Sequence, residues 1–168
     1  MSKSPVKWLT DQEYAQATNR EKAVAWADSF DGQKEVGQNA GPFVAEVLKS
    51  VGLKTGHAWC ASFVSYVFSK AQIKTGPKLH RYRVRAWVDW GHEKGRLYYS
   101  HPKRGDLCAR LNRNGTGHIG FVLSEPDFDG TYRTIEGNTN AQGSREGHGV
   151  FKRTRNLAEG FVFVRWWD

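Results

Sequence analysis

Cysteine is scarce. Cys60 and Cys108 are the only two in a chain of 168 residues, which excludes a disulfide framework and a cysteine-rich zinc site. An apolar leader is also missing. Met1-Ser2-Lys3-Ser4-Pro5-Val6-Lys7 contains no h-region, so no secretory signal is expected, and reducing synthesis in the cytoplasm argues against a Cys60–Cys108 bridge. No apolar run approaches the ~18–20 residues of a membrane span, so membrane insertion is not expected either. Internal repeats and long linkers are absent. One domain is therefore predicted, large enough to bury a core without staples.

Acid is scarce over one stretch. Between Lys74 and Arg113 three Asp or Glu stand against eleven Lys or Arg, so this segment carries the whole net charge of +8. Such a patch seeks a polyanion: nucleic acid, an anionic cell wall or a membrane surface; otherwise it is a solvated face. Aromatics, by contrast, are plentiful, with 7 Trp, 9 Phe and 6 Tyr, and they argue against disorder. The 18 glycines imply many turns and substantial β content.

The first half reads as helices. Ala23, Val24, Ala27 and Phe30 predict one over Thr18–Phe30, capped by Thr18 or Asn19. Pro42 opens a second, carrying the stripe Phe43, Val44, Val47, Leu48 and Val51, with Gly52 as its stop. Cys60, Phe63, Val64, Val67, Phe68 and Ala71 form one face of a third, beginning near Ala58 or Trp59. A fourth, basic helix is expected from about Tyr82 to Glu93. The second half alternates with period two, predicting strands at Arg96–Ser100, Asp106–Leu111, His118–Ser124, Thr131–Asn138, Val150–Arg155 and Phe161–Trp167. Helices followed by strands predict an α+β fold, helices packed on one face of an antiparallel sheet.

Two residues carry chemistry in this layout. Cys60 stands at a predicted helix N-terminus, where free N–H groups and the macrodipole favour a thiolate; the alternative is a small buried hydrophobe. His118 opens an apolar strand at a sheet rim, within reach of a helix end. His57, His80, His92, His101 and His148 lie in loops or charged surroundings and read as solvated. With Ser124 and Thr131 flanking the hairpin loop, His118 faces Gly137; a one-residue shift puts it opposite Glu136. Either register brings Glu136 or Asn138, on one strand face, beside the imidazole as an orienting group.

Trp59-Cys60-Ala61-Ser62-Phe63-Val64, Gly105-Asp106-Leu107, Gly117-His118-Ile119-Gly120-Phe121-Val122 and Ile135-Glu136-Gly137-Asn138-Thr139-Asn140 follow one another in the order of the CHAP family, which they resemble. This family is the cysteine–histidine amidohydrolase/peptidase branch of the papain-like, NlpC/P60-like superfamily. The upstream Glu35-Val36-Gly37-Gln38-Asn39-Ala40-Gly41-Pro42 and the closing Gly160-Phe161-Val162-Phe163-Val164-Arg165 are similar too.

The resemblance implies a peptidoglycan hydrolase that cuts an amide bond of the bacterial cell wall. Residues 1–17 would be an N-terminal extension and 18–168 the catalytic domain. Cys60 would be the nucleophile, His118 the base, Glu136 its orienting group and Asn138 the accompanying polar residue. Trp59, Asn39 and Gly117 would contact substrate, and Trp87, Trp90, Tyr82, Tyr98 and Tyr99 are further candidate walls, with core packing the favoured alternative for each of these aromatics, Trp59 included.

No cofactor is expected. Lys54-Thr55-Gly56-His57-Ala58-Trp59 has no carboxylate, so the calcium site of some phage relatives is not predicted, and Asp127 and Asp129 read as turn formers. Cys108 reads as structural. A monomer is expected, with peptidoglycan as partner and no nucleic acid. Without a leader, delivery would be holin-dependent release of a phage endolysin or injection of a toxin, the latter with an immunity protein; a clipped domain of a larger protein is the third expectation. An inactive wall- or partner-binding relative and a basic nucleic-acid-binding module are the competing classes.

Overall fold

The computed structural model describes residues 3–139 and 148–168. Its helices are α1 (Asp11–Gln16), α2 (Asn19–Ser29), α3 (Pro42–Lys49), α4 (Cys60–Lys70) and α5 (Val84–Glu93). They precede strands β1 (Leu97–Tyr98), β2 (Leu107–Leu111), β3 (Gly117–Val122), β4 (Thr131–Thr139), β5 (Gly149–Asn156) and β6 (Val162–Val164). The strands form one sheet in the order β1-β6-β2-β3-β4-β5, with every pairing antiparallel. This is an α+β fold, as the helix-then-strand order predicts. No helix among the described residues is long and apolar enough to cross a membrane.

Local chemistry sets the boundaries. Thr18 caps α2 reciprocally with Glu21, and Pro42 occupies the first turn of α3. The short α1 has a single buried residue, Tyr14, and no apolar stripe to announce it; a Thr10–Glu13 capping box starts it. Within the predicted extension it is docked, since the Trp26 indole donates to Tyr14 Oη at 2.7 Å.

The sheet separates two apolar clusters. Helix α4 packs on β3 and β4, and Phe63, Val64, Phe68, Ile119, Phe121 and Ile135 lie in the large cluster on that face. Cys108, Val122, Tyr132, Phe161 and Phe163 form the smaller one. Strand alternation assigns His118, Gly120, Glu136 and Asn138 to the side of the smaller cluster.

The β3–β4 register differs from both expected alignments. Phe121 pairs with Ile135 and Val122 with Thr134, which sets Gly120 against Glu136 and leaves Glu136 diagonal to His118. The cause lies in the connection. Asp127 N–H donates to Thr131 O and Gly130 N–H to Asp127 O, closing a tight turn at the tip, while the Ser124 hydroxyl accepts from Arg133 N–H. Ser124 is thus part of the loop and does not flank it.

Candidate active site

Cys60 is the first residue of α4. Trp59 precedes it at the N-cap with φ −124° and ψ 13°, and no side chain caps this helix start. The dipole end and first-turn amides are consequently left to act on whatever stands at Cys60. The thiol is buried and rests 3.9 Å from the Gly117 carbonyl. Gly117 has to be glycine: a Cβ there would lie 2.6 Å from Arg110 O and 3.1 Å from Val84.

His118 follows directly. At the rim end of β3 it stands with Nε2 2.6 Å from Glu136 Oε2, and Cys60 is near enough to raise its proton affinity. Its Nδ1 is buried without a completed hydrogen bond among the described residues, a common state for a catalytic contact before substrate tightens it. Burial alone would push the imidazole pKa down; the neighbouring Cys60 and the hydrogen bond with Glu136 override it and lift it to about 9.

Glu136 is fully buried, and burial opposes its charge; hydrogen bonds from Arg155 and His118 nevertheless hold its pKa well below the ordinary carboxylate range. Arg155 Nε donates to Oε1 at 2.8 Å and Nη2 to Oε2 at 2.7 Å, while Thr134 Oγ1 adds a 2.6 Å bond to Oε1. Arg155, itself buried, also bonds Glu159 and packs over Phe161. Two glycines make room. A Cβ on Gly120 would stand 2.6 Å from Glu136 Cγ, and one on Gly137 would stand 2.7 Å from Phe63 of α4. Asn138, next along, is buried at φ 54° where the β4–β5 ladder shifts register, and its Oδ1 has no partner among the described residues.

A cleft of about 420 Å³ opens at Cys60 and Gly117, with Tyr82, Arg83, Val84 and Arg85 on its other walls. Cys60, His118, Glu136 and Gly117 are thus brought together. Asn39 is not among the residues lining this cleft; it sits at φ 50°, its N–H donating to Glu35. The expected substrate contact at Trp59 is corrected. Its side chain is fully buried among Phe43 and Phe63, with its indole N–H on Glu35 at 3.3 Å. Trp87 is likewise core, and of the proposed aromatic walls Tyr82 alone lines the cleft. Asn140 lies outside the described residues.

The model of the CHAP domain family matches residues 52–138, more than half of the chain. The chain belongs to the CHAP family. CHAP is a cysteine/histidine-dependent amidohydrolase/peptidase domain, and the matched span holds Cys60, His118, Glu136 and Asn138. No curated protein matches the chain. Two contributors lie outside the CHAP match. Arg155 carries no sequence motif of its own, although a glutamate inside the apolar run Ile135-Glu136-Gly137 calls for a buried cation. Glu35 braces the backbone of Asn39, the Trp59 indole and the His148 ring.

Other motif residues are structural. Asp106 is buried and clasped by Arg165 through two bonds, 3.1 and 2.9 Å, and by Lys103 N–H at 2.9 Å. Cys108 is fully buried in the second cluster, where burial pushes its thiol pKa far up. Asp129 accepts from Thr131 N–H, as a turn former does. Among the described residues no three His, Cys, Asp or Glu side chains gather as a metal would need.

Proposed function

We propose that this chain hydrolyses peptidoglycan, cleaving an amide of the bacterial wall, either N-acetylmuramoyl-L-alanine or a bond of the stem or cross-bridge, through an acyl-enzyme on Cys60. The observation that carries the reading is the buried His118–Glu136 pair, with Glu136 held ionised by Arg155, set beside the buried Cys60 at the start of α4. Cys60 gives its proton to His118 and its sulfur attacks the amide carbon. Charge developing on the carbonyl oxygen meets the Cys60 N–H at the uncapped start of α4. Collapse breaks the C–N bond as the His118 imidazolium protonates the leaving amine. Water, deprotonated by His118, then attacks the thioester, releasing a carboxylic acid and restoring the thiol. Glu136 fixes the ring and stabilises its charged form, and Asn138 is the polar residue beside that pair.

Purified sacculi incubated with the protein, followed by mass spectrometry of the released muropeptides, test this directly. New amine and carboxyl termini at one bond type are expected, and Cys60→Ala should abolish them. Undiminished lysis by Cys60→Ala would overturn the assignment.

A further inference from the structure

The basic segment is not uniform around the cleft. Arg81 is structural: it packs over Trp87 at 5.0 Å and donates to Thr75 O at 3.1 Å. Arg83 and Arg85 differ. Both are exposed, and they flank Val84, which is buried and packed against Gly117, the residue whose carbonyl faces Cys60. That packing places both guanidinium-bearing residues on walls of the cleft that contains the sulfur.

Among the described residues neither cation has a buried counter-ion. Arg83 makes no ion pair among the described residues and lies over the Tyr82 ring at 5.4 Å. Arg85 has Asp89 at 3.8 Å, with both side chains more than half exposed, a geometry that contributes little. Among the described residues no acidic side chain lines the cleft. The start of α5 carries no side-chain cap, so its dipole adds positive potential on the same side.

We propose that Arg83 and Arg85 form a carboxylate subsite beside Cys60, selecting stem peptides with a free carboxylate near the scissile amide over the same peptides amidated there; this rests on the wall-hydrolase reading. Guanidinium groups only donate and match a carboxylate in a planar fork. A primary amide offers one acceptor and turns two donors toward them.

The test uses one muramyl stem peptide in two forms, free acid and primary amide. Binding is measured by calorimetry on Cys60→Ala protein, and turnover on protein with Cys60 intact. The acid should bind about tenfold tighter, as charge-assisted hydrogen bonds warrant, with the advantage shrinking in salt. Arg83→Gln with Arg85→Gln should bring the acid-to-amide ratio close to one, whereas Lys78→Gln with Lys94→Gln, two charges removed elsewhere in the basic segment, should preserve it. Equal or undetectable binding of the two forms, or an equal loss in the double lysine variant, overturns the subsite. Failure to cleave either peptide while the acid preference persists retires hydrolysis alone. Cleavage of both at equal kcat/KM retires the subsite alone.

Discussion

Arg155 reaches from β5 to grip the Glu136 carboxylate on β4 with two hydrogen bonds, at 2.8 and 2.7 Å, inside the protein. The pair fixes the oxygen that orients His118. It also places a full charge where, alone, that charge would be very costly.

Removing one partner should therefore hurt more than an ordinary core substitution. Arg155→Met leaves Glu136 buried without its cation, and a loss of about 3–5 kcal/mol is expected, read from urea unfolding. Turnover should fall as well, because His118 loses its fixed acceptor. A variant with unchanged stability and activity would show the grip to be incidental.

His118 gives a pH signature. Its folded pKa is raised from 6.5 to about 9, so its contribution to stability is complete below about 6.5 and fades as pH rises through 9. Glu136, held low, has the opposite sign: its contribution is present above its unfolded value near 4.3 and lost as acid protonates it. Tm measured across pH should thus fall on both flanks. Proton NMR of the imidazole should find the His118 midpoint lower in Cys60→Ala, since the neighbouring Cys60 leads the influences that lift it. An unmoved midpoint would separate the two residues.

The two thiols should be chemically distinct. Cys60 lies at the cleft, whereas Cys108 is fully enclosed and its thiol strongly held in the neutral form. Iodoacetamide on native protein should add one carbamidomethyl group, at Cys60 by peptide mapping, and a second only after denaturation. Labelling of Cys108 in the native state would contradict this.

Gly120→Ala tests the space behind the relay. The new methyl would meet Glu136 Cγ at 2.6 Å and Ile135 O at 2.8 Å, so Glu136 must shift. A stability loss of about 1–3 kcal/mol is expected, with kcat reduced more than KM is raised. Wild-type kcat in this variant would mean that the position of Glu136 is not critical.

The elements were legible wherever periodicity was strong: the α4 stripe from Cys60 to Phe68 and the strand from His118 to Val122 stand close to where the pattern put them. Other features depended on signals that periodicity does not carry. The hairpin register turned on a serine side chain accepting a backbone bond, which moved the pairing by one residue or more. Arg155 was invisible because a strand ending in Lys152-Arg153-Thr154-Arg155 reads as solvent-facing, whereas Arg155 turns into the second cluster beside Phe161. Trp59 read as a wall for substrate because it neighbours the nucleophile, yet its bulk fills the core. Helix α1 lacked an apolar stripe, though its capping box was present in the letters Thr10 and Glu13.

The contact of Gly137 with Phe63 sets the spacing of the reacting groups. Phe63 is one helical turn from Cys60, and Gly137 is the next residue after Glu136, so the distance between sulfur and relay is inherited from a wall of van der Waals contacts and involves no hinge. A protein built this way has no assembled site without its assembled core. Heat or denaturant should extinguish catalysis and tertiary structure at one midpoint, with no active loosened state between them.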